Sequence, residues 1–421
     1  MVTMAGVLLI TYHFPPSAAS GAFRLLGFAQ HLPKFGYRVG VLAPPTLPWE
    51  PVDVSLGARV PPETMLYRVD YPRHASRFLR RLSPYGIWAW YARHTVAHAV
   101  REMRPDVVLS SGPPHVVHLL GCEVQRRFGI PWVLDCRDPW VTTTDVLAPR
   151  GWKAAYERFW ERRMFARADA ILCNAPHAHQ QLALALPHFA EKLHTIPNGY
   201  DPDLFPPSRL PSPQRAVGPE GPWFAPIRPN GPVRFLHAGQ LYAGRDPRPL
   251  LDAVAELSGT QVPPLRFEFL GRTEVAGGVN LHEEAMKRGL GESIICRGQL
   301  SYQQTLAEMS TADVLVLMDT PKRRIGVPAK LYEYIGAGRP VLATGQIDGD
   351  LAVTLRQSGL PCRIARPDDA KAIRDAITEL VCGVANGTLP SVCDEARRRF
   401  ARETLAGELA TVLDGLRGAK R

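Results

Sequence analysis

Residues 324–344 read RIGVPAKLYEYIGAGRPVLAT, and the organisation of the chain follows from them. Gly326 and Pro328 sit in a loop that opens a helix, and Pro328 suits a first helical turn, where its missing N–H is not needed. Leu331, Tyr334 and Ile335 recur at helical spacing, Gly336 and Gly338 close the helix, and Pro340–Thr344 reads as a buried strand. A helix N-terminus at the edge of an α/β sheet offers free N–H groups and partial positive charge, which suit a phosphate. Lys330 lies in the first turn, where a cation opposes the helix dipole, so an anionic ligand would account for it. Glu333, one turn deeper, is placed to accept hydrogen bonds from sugar hydroxyls.

The wording P-A-K-L-Y-E-Y-I-G-A-G-R-P-V-L-A resembles the donor-site motif of GT-B glycosyltransferases, family 4 in particular. In that family a Glu at the position of Glu333 grips the ribose of a nucleotide sugar. A second Glu usually stands eight residues earlier, where this chain has Ile325.

Working outward, a chain of 421 residues is expected to hold two domains. Seven cysteines are scattered without C-x-x-C pairs or metal-ligand spacing, which argues for a reducing compartment and against a disulfide framework or structural zinc. The apolar run 5–12 has no Lys or Arg ahead of it and is interrupted by Pro15-Pro16, so it reads as a first strand rather than a signal peptide. No run approaches ~20 apolar residues, so a membrane span is not expected. The formal charge is +10. Residues 59–104 hold nine Arg against Glu63, Asp70 and Glu102, interleaved with aromatic residues, a mixture that suits an anionic membrane surface or a nucleic acid. In the helix expected over 88–103, Trp88, Ala92, Val96, Ala99, Val100 and Met103 share one face, and Trp90, Arg93, Arg101 and Arg104 another. A nucleic-acid partner is disfavoured, because no basic run accompanies a nucleic-acid motif.

Strand, loop, helix, strand repeats from residue 6 to 43, and the alternation continues to Leu193–Ile196. No G-x-G-x-x-G follows the first strand, which disfavours a dinucleotide enzyme. Residues 206–232 hold nine Pro and read as a linker. A second β/α alternation starts at Val233. The expected fold is therefore α/β, two Rossmann-like doubly wound parallel-sheet domains. The expected divisions are 1–205, the linker 206–232, 233–395, and a helical tail 396–421.

The family resemblance extends over these segments. Phe14-Pro-Pro, Ser20-Gly21-Ala22 and Arg24 resemble the acceptor-side loop of family 4, where Gly21 would let a substrate approach the backbone. Ser110-Ser-Gly-Pro-Pro-His115 and Asp135-Cys-Arg-Asp-Pro-Trp140 are strand-exit clusters. The resemblance places His115 near the reacting sugar and Asp138 facing the acceptor, as the catalytic pair. A loop-capping His and an Asp bonded to Arg137 or to backbone are the plain structural readings. His237-Ala-Gly-Gln-Leu-Tyr-Ala-Gly-Arg245 resembles the family's diphosphate loop with Gln240 in place of a first cation and Arg245 near the second. The donor set implied is Gly239, Gln240, Arg245, Gly271, Arg272, Gln299, Leu300, Gly326, Val327, Lys330, Leu331 and Glu333. The acceptor side is Ser20, Gly21 and Arg24.

The resemblance implies a GT-B pair of domains facing a central cleft, with the tail helix crossing back to the first domain. It implies sugar transfer from a nucleotide sugar to an acceptor hydroxyl, with retention at the anomeric carbon, no metal and no cofactor. The acceptor would be a glycan, a lipid-linked sugar or a small molecule. The protein would be cytoplasmic, with room for peripheral contact at the inner membrane face. Two alternatives stand beside this: a nucleotide-sugar 2-epimerase on the same fold, and a non-catalytic nucleotide-sugar-binding subunit, motivated by Ile325 and Gln240. The sequence names neither the sugar, the base, the acceptor nor the oligomeric state.

Overall fold

The computed structural model describes residues 4–46, 50, 52–71, 84–138, 140–142, 151–205, 231–241, 244–260, 263–272 and 278–418. Most of the expected linker and the Arg73–Arg81 part of the basic stretch lie outside the described residues. The chain forms two compact units, Met1–Gly199 with Arg402–Arg421, and Tyr200–Ala401.

In the first unit seven parallel strands lie in the order β3-β2-β1-β4-β5-β6-β7. They are β1 (Ala5–Thr11), β2 (Tyr37–Ala43), β3 (Met65–Arg68), β4 (Val107–Gly112), β5 (Trp132–Cys136), β6 (Ala170–Cys173) and β7 (Leu193–Thr195). β1, β4, β5 and β6 are buried along their whole length, as strands covered by helices on both faces must be. The strand order reverses at the β1/β4 pair, so ligands are expected beyond the carboxyl ends of these strands.

One helical layer holds α1 (Ser20–His31) and the C-terminal helix α12 (Arg402–Gly418). Leu25 and Phe28 of α1 share a core with Leu405, Leu409 and Leu413 of α12. Gly27 permits the close approach, since a Cβ there would lie 2.5 Å from Cδ of Arg402. Polar ties finish the joint: Lys34 Nζ donates to Glu403 at 2.8 Å, and Tyr37 Oη to Asp414 at 2.6 Å. On the other side α2 (Pro84–Met103), α3 (His118–Phe128) and α4 (Trp152–Arg167) pack as successive neighbours, followed in the chain by α5 (Pro176–Ala185). The face Trp88, Ala92, Val96, Ala99, Val100 and Met103 of α2 is buried, and Trp90 is exposed with the Arg93 guanidinium 5.0 Å over its ring.

In the second unit six parallel strands lie in the order β10-β9-β8-β11-β12-β13. They are β8 (Val233–Ala238), β9 (Leu265–Leu270), β10 (Ile294–Gly298), β11 (Val314–Met318), β12 (Val341–Thr344) and β13 (Cys362–Ala365). The crossover helices are α6 (Arg248–Leu257), α7 (Leu281–Lys287), α8 (Tyr302–Thr311), α9 (Lys330–Ala337), α10 (Asp350–Gln357) and α11 (Ala370–Ala385). Here the order reverses at β8/β11. Tyr200 pairs with Ala401 as an isolated parallel bridge, and Tyr200 N donates to Phe400 O at 3.0 Å, so the two segments flanking the unit's ends run side by side.

α9 is the helix expected from the opening stretch, entered through Ala329 and ended at Gly338 in the left-handed conformation. Gly336 lies within the helix rather than at its end, and packing requires it: a Cβ there would come within 2.2 Å of the Phe205 ring. Arg397 caps the C-terminus, donating to Ile335 O at 2.8 Å and Gly336 O at 2.7 Å, where a cation also suits the helix dipole.

Candidate functional site

The site on the second unit is built where β8, β9, β10 and β11 end. Gly239, Gly271 and Gly298, which end or follow three of these strands, all have positive φ, at 147°, 116° and 70°. Gly239 N donates to Leu270 O and Gly271 N to Gly298 O, each at 2.8 Å, so pairing continues past the strand ends. A Cβ on Gly271 would lie 2.5 Å from the Gly239 carbonyl oxygen; only glycine allows these backbones to touch.

Over the Gly239 backbone two side chains converge. A Cβ at Gly239 would meet Lys330 Cγ at 3.8 Å and His237 Nε2 at 3.9 Å. His237 is buried in β8, and its Nδ1 lies 2.9 Å from the Val316 carbonyl, which makes Nδ1–H the donor and leaves Nε2 as an acceptor with no partner among the described residues. Burial pulls its pKa down to about 4, with Arg245 and Lys330 adding to the effect. A neutral ring is the consequence at pH 7. The helix behind is fixed by Tyr334, whose hydroxyl accepts from Ala238 N and donates to Val316 O, both at 3.0 Å.

Arg245 is buried and reaches back to the Gln240 carbonyl at 3.2 Å. Asp319, just past the end of β11, has a carboxylate oxygen 3.9 Å from Arg245, and Arg323 approaches the same oxygen at 3.4 Å. Burial pushes the Asp319 pKa up against the pull of Arg323 and Arg245. Lys330 Nζ sits 2.7 Å from Glu333 Oε2 and 6.0 Å from the Tyr302 ring centroid. Two cations, a helix N-terminus, a buried carboxylate and an unpaired imidazole nitrogen thus meet at one switch point, an arrangement suited to a diphosphate bearing polar groups. Gln240, Arg272 and Gln299 are exposed at the rim, Leu300 and Val327 are half-buried, and Leu331 lies in the core beneath α9.

The loop ahead of α9 is held from below. Asp350, fully buried, accepts from Gly326 N at 2.8 Å, and Asp350 N donates to Arg324 O at 2.9 Å. Ile325 between them is buried, so the position where family 4 usually has Glu faces the protein interior. The triplet Asp348-Gly-Asp350 has both carboxylates engaged, Asp348 with Arg324 at 3.1 Å and Asp350 with Gly326.

The first unit brings its expected residues to the ends of β1, β4 and β5. Arg24 is buried and turned inward. It holds Asp135 through two contacts at 3.0 and 2.9 Å and the Pro197 carbonyl at 2.7 Å. Ser111 Oγ donates to the same carboxylate at 2.6 Å. Ser20 is exposed at the start of α1. Gly21 is required by a protein neighbour: a Cβ there would coincide with the Arg137 guanidinium, at 1.4 Å. Arg137, buried, also donates to the Pro113 carbonyl, and Asn174 donates to the Arg137 carbonyl. Three loops thus meet at one residue, two at its guanidinium and one at its carbonyl; the sequence suggested it only as a partner for Asp138.

The His115 ring stacks on Trp140 at 4.4 Å and 8°. Its Nδ1 is buried without a partner among the described residues, as is Nε2 of His118, whose Nδ1 is 2.9 Å from Ser110 Oγ. Burial lowers both pKa values, that of His118 to about 3. His115, His118 and Cys136 each bring a ligand atom within 4.8 Å of the others. The Arg137 cation beside them opposes a metal ion, and burial holds Cys136 as the thiol. Asp138 is exposed at the end of β5 and lines a small cavity with Trp140, Glu161 and Asn174. Glu161, in the lining of that cavity, accepts from Val141 N and Thr142 N at 3.1 Å each.

Of the residues carrying these sites, His237, Asp319 and Arg137 were missed. His237 stands two residues before Gly239 in the phosphate loop, which was its one sequence signal.

Comparison with known proteins agrees with this geometry. Residues 21–199 match the family described as "Glycosyl transferase 4-like domain", and residues 232–382 match "Glycosyl transferases group 1". The glycosyltransferase TuaH of Bacillus subtilis (strain 168), named for teichuronic acid biosynthesis, is 24% identical over 221 residues, covering 50% of each chain. This chain thus spans about half the length of that curated relative. Among solved structures, sucrose-phosphate synthase from Thermosynechococcus elongatus superposes with a TM-score of 0.66 at 16% identity, covering 99% of this chain and 100% of that one. Anabaena HepE in complex with UDP gives 0.62 at 18% identity, covering 97% and 100%. Two parallel-sheet Rossmann-like units, both family matches and these neighbours lead to one assignment: the chain belongs to the family 4-like glycosyltransferases of GT-B fold.

Proposed function

We propose that this glycosyltransferase takes its sugar from a nucleoside-diphosphate sugar held on the second unit. One observation carries the reading: Arg245, Lys330 and His237 surround the left-handed Gly239 turn at the β8/β11 switch point, with Glu333 one turn into α9. In this reading Arg245, Lys330 and the α9 N-terminus hold the diphosphate, Glu333 binds the ribose, and His237 Nε2 accepts a hydrogen bond from a donor hydroxyl. The UDP in the HepE structure makes a uridine nucleotide the first to test.

Transfer forms a bond from the acceptor oxygen to the anomeric carbon as the bond to the diphosphate breaks. Arg245 and Lys330 stabilise the charge that develops on the leaving diphosphate. Asp138 orients the acceptor hydroxyl or takes its proton. His115, with Nδ1 enclosed, contributes only through its Nε2 edge. Retention without a metal is the stereochemical form proposed. The acceptor is a glycan, a lipid-linked sugar or a small molecule, and the protein works in the cytoplasm with peripheral contact at the inner face of the membrane. Among the described residues no helix is long and apolar enough to cross a membrane.

The test is thermal-shift binding against a panel of nucleoside diphosphates and their sugars. A ligand at a hundred times its Kd adds about 2.7 kcal/mol of stability. Stabilisation by one nucleoside diphosphate, lost in Arg245→Ala and Glu333→Ala, supports the site and names the base. A flat response across the panel rejects it.

A further inference from the structure

Helix α4 (Trp152–Arg167) presents an unusual outer face. Trp152, Tyr156 and Phe159 are 81, 55 and 57% exposed, and their spacing of four and three residues puts them in one stripe. Trp160, half-buried beside them, meets Tyr156 at 6.3 Å and Phe159 at 5.6 Å between ring centroids, both edge to face, so the rings form one cluster. The helix's inward face is accounted for by Ala154, Met164 and Phe165 in the core.

The charges on α4 are sorted by side. Its two acids face inward: Glu157 accepts from Trp140 Nε1 at 2.8 Å, and Glu161 caps Val141 and Thr142. Its five cations, Lys153, Arg158, Arg162, Arg163 and Arg167, are all exposed, and no exposed acid accompanies them among the described residues of the helix. Exposed aromatic area flanked by cations alone needs an apolar layer with an anionic surface. A second copy of the chain packed on this face would set cations against cations.

We propose that α4 docks the protein on an anionic lipid bilayer. Trp152, Tyr156 and Phe159 enter the headgroup region, and the arginines and Lys153 reach lipid phosphates from both sides of the stripe. This names the surface for the membrane contact proposed above. It is read without donor or acceptor, so its failure leaves the transfer reaction untouched, and the reverse.

The experiment is co-sedimentation of the full chain with vesicles of phosphatidylcholine alone or with about a quarter phosphatidylglycerol, at low and high salt. The expected result is binding to the anionic vesicles only, weakened by salt. Trp152→Ser with Phe159→Ser, and separately Arg162→Glu with Arg163→Glu, each weaken binding at least about tenfold. All four residues are exposed, so thermal melting and nucleotide binding stay at wild-type values. Absence of vesicle binding at low salt, or equal binding by wild type and both variants, overturns the proposal. So does a dimer in solution that these variants make monomeric, or oligonucleotide binding that is tighter than vesicle binding and lost in the same variants.

Discussion

Arg24 and Asp135, 111 residues apart in the chain, face each other inside the first unit as a two-pronged ion pair at 2.9 and 3.0 Å, both side chains almost wholly buried. The pair ties α1 to the end of β5, and Arg24 extends the tie to the Pro197 carbonyl near the end of the unit. A guanidinium so engaged is committed to holding α1, β5 and the Pro197 segment together. Removing one partner strands the other charge in the interior, which costs about 3–5 kcal/mol. Arg24→Ala and Asp135→Ala should therefore lower the denaturation midpoint of the first unit sharply. The double variant should recover part of the loss, because no lone charge is left. Single variants with near wild-type stability would show that the pair is not needed.

The donor site predicts a division of labour. Arg245→Lys keeps the charge but loses the planar fork, so nucleoside diphosphate binding should weaken about tenfold, the scale of one charge-assisted hydrogen bond, while binding of the bare nucleoside is unchanged. Glu333→Gln should weaken both ligands, because its assigned partner is the ribose. Calorimetric titration of the two ligands into the two variants checks this. Equal losses for nucleoside and diphosphate in Arg245→Lys would remove Arg245 from the phosphates.

What the sequence made legible were the features that are local. Continuous apolar strands such as Val107–Leu109 and Val314–Met318 mark a sheet buried on both faces, and the alternation with helices gives two parallel sheets. That Lys330 and Glu333 share one helix was legible because their spacing is helical; their mutual contact at 2.7 Å was not read from the sequence. The partners of Arg24 were not, since nothing local says that Asp135 lies under it. Gly21 was legible as a position of close approach, but the group that approaches is Arg137 from another strand end. His237 was hidden for a similar reason: that its Nε2 has no partner among the described residues follows from the Val316 carbonyl taking Nδ1, a contact across 79 residues.

The buried histidines predict acid lability in both units. Burial draws His118 down to about 3 and His237 to about 4, from 6.5 for an exposed ring. Between those values and 6.5 the unfolded chain binds protons that the folded chain does not, so stability rises with pH across this window. It is complete above about 6.5 and is lost progressively as pH falls towards 4, with each group contributing on the order of 3 kcal/mol at the bottom of the window. Urea denaturation at pH 7 and at pH 4.5 should show the loss. His118→Asn, which keeps a polar atom near Ser110 and removes the titrating ring, should flatten the pH dependence of the first unit. An unchanged slope in that variant would assign the lability to other groups.

Gly271 gives the last test, because it separates the site from the fold. Its φ of 116° is strained for any residue with a Cβ, and that Cβ would stand 2.5 Å from the Gly239 carbonyl oxygen. The strain alone costs about 1–3 kcal/mol. The backbone contact cannot be relieved by a rotamer change, so the β8 loop must move. That loop carries Gly239, against which Lys330 and His237 are packed, and leads to Arg245. Gly271→Ala should therefore leave the second unit folded, with a melting point lowered by several degrees, yet abolish nucleotide binding at concentrations that saturate wild type. Gly289→Ala is the control: its φ is 69°, also strained, but a Cβ there meets nothing within 4 Å, and it lies in the turn after α7. It should lower stability less than Gly271→Ala, since only the backbone strain remains, and keep the nucleotide affinity. If Gly271→Ala binds nucleotide as Gly289→Ala does, the Gly239 turn is not part of the donor site.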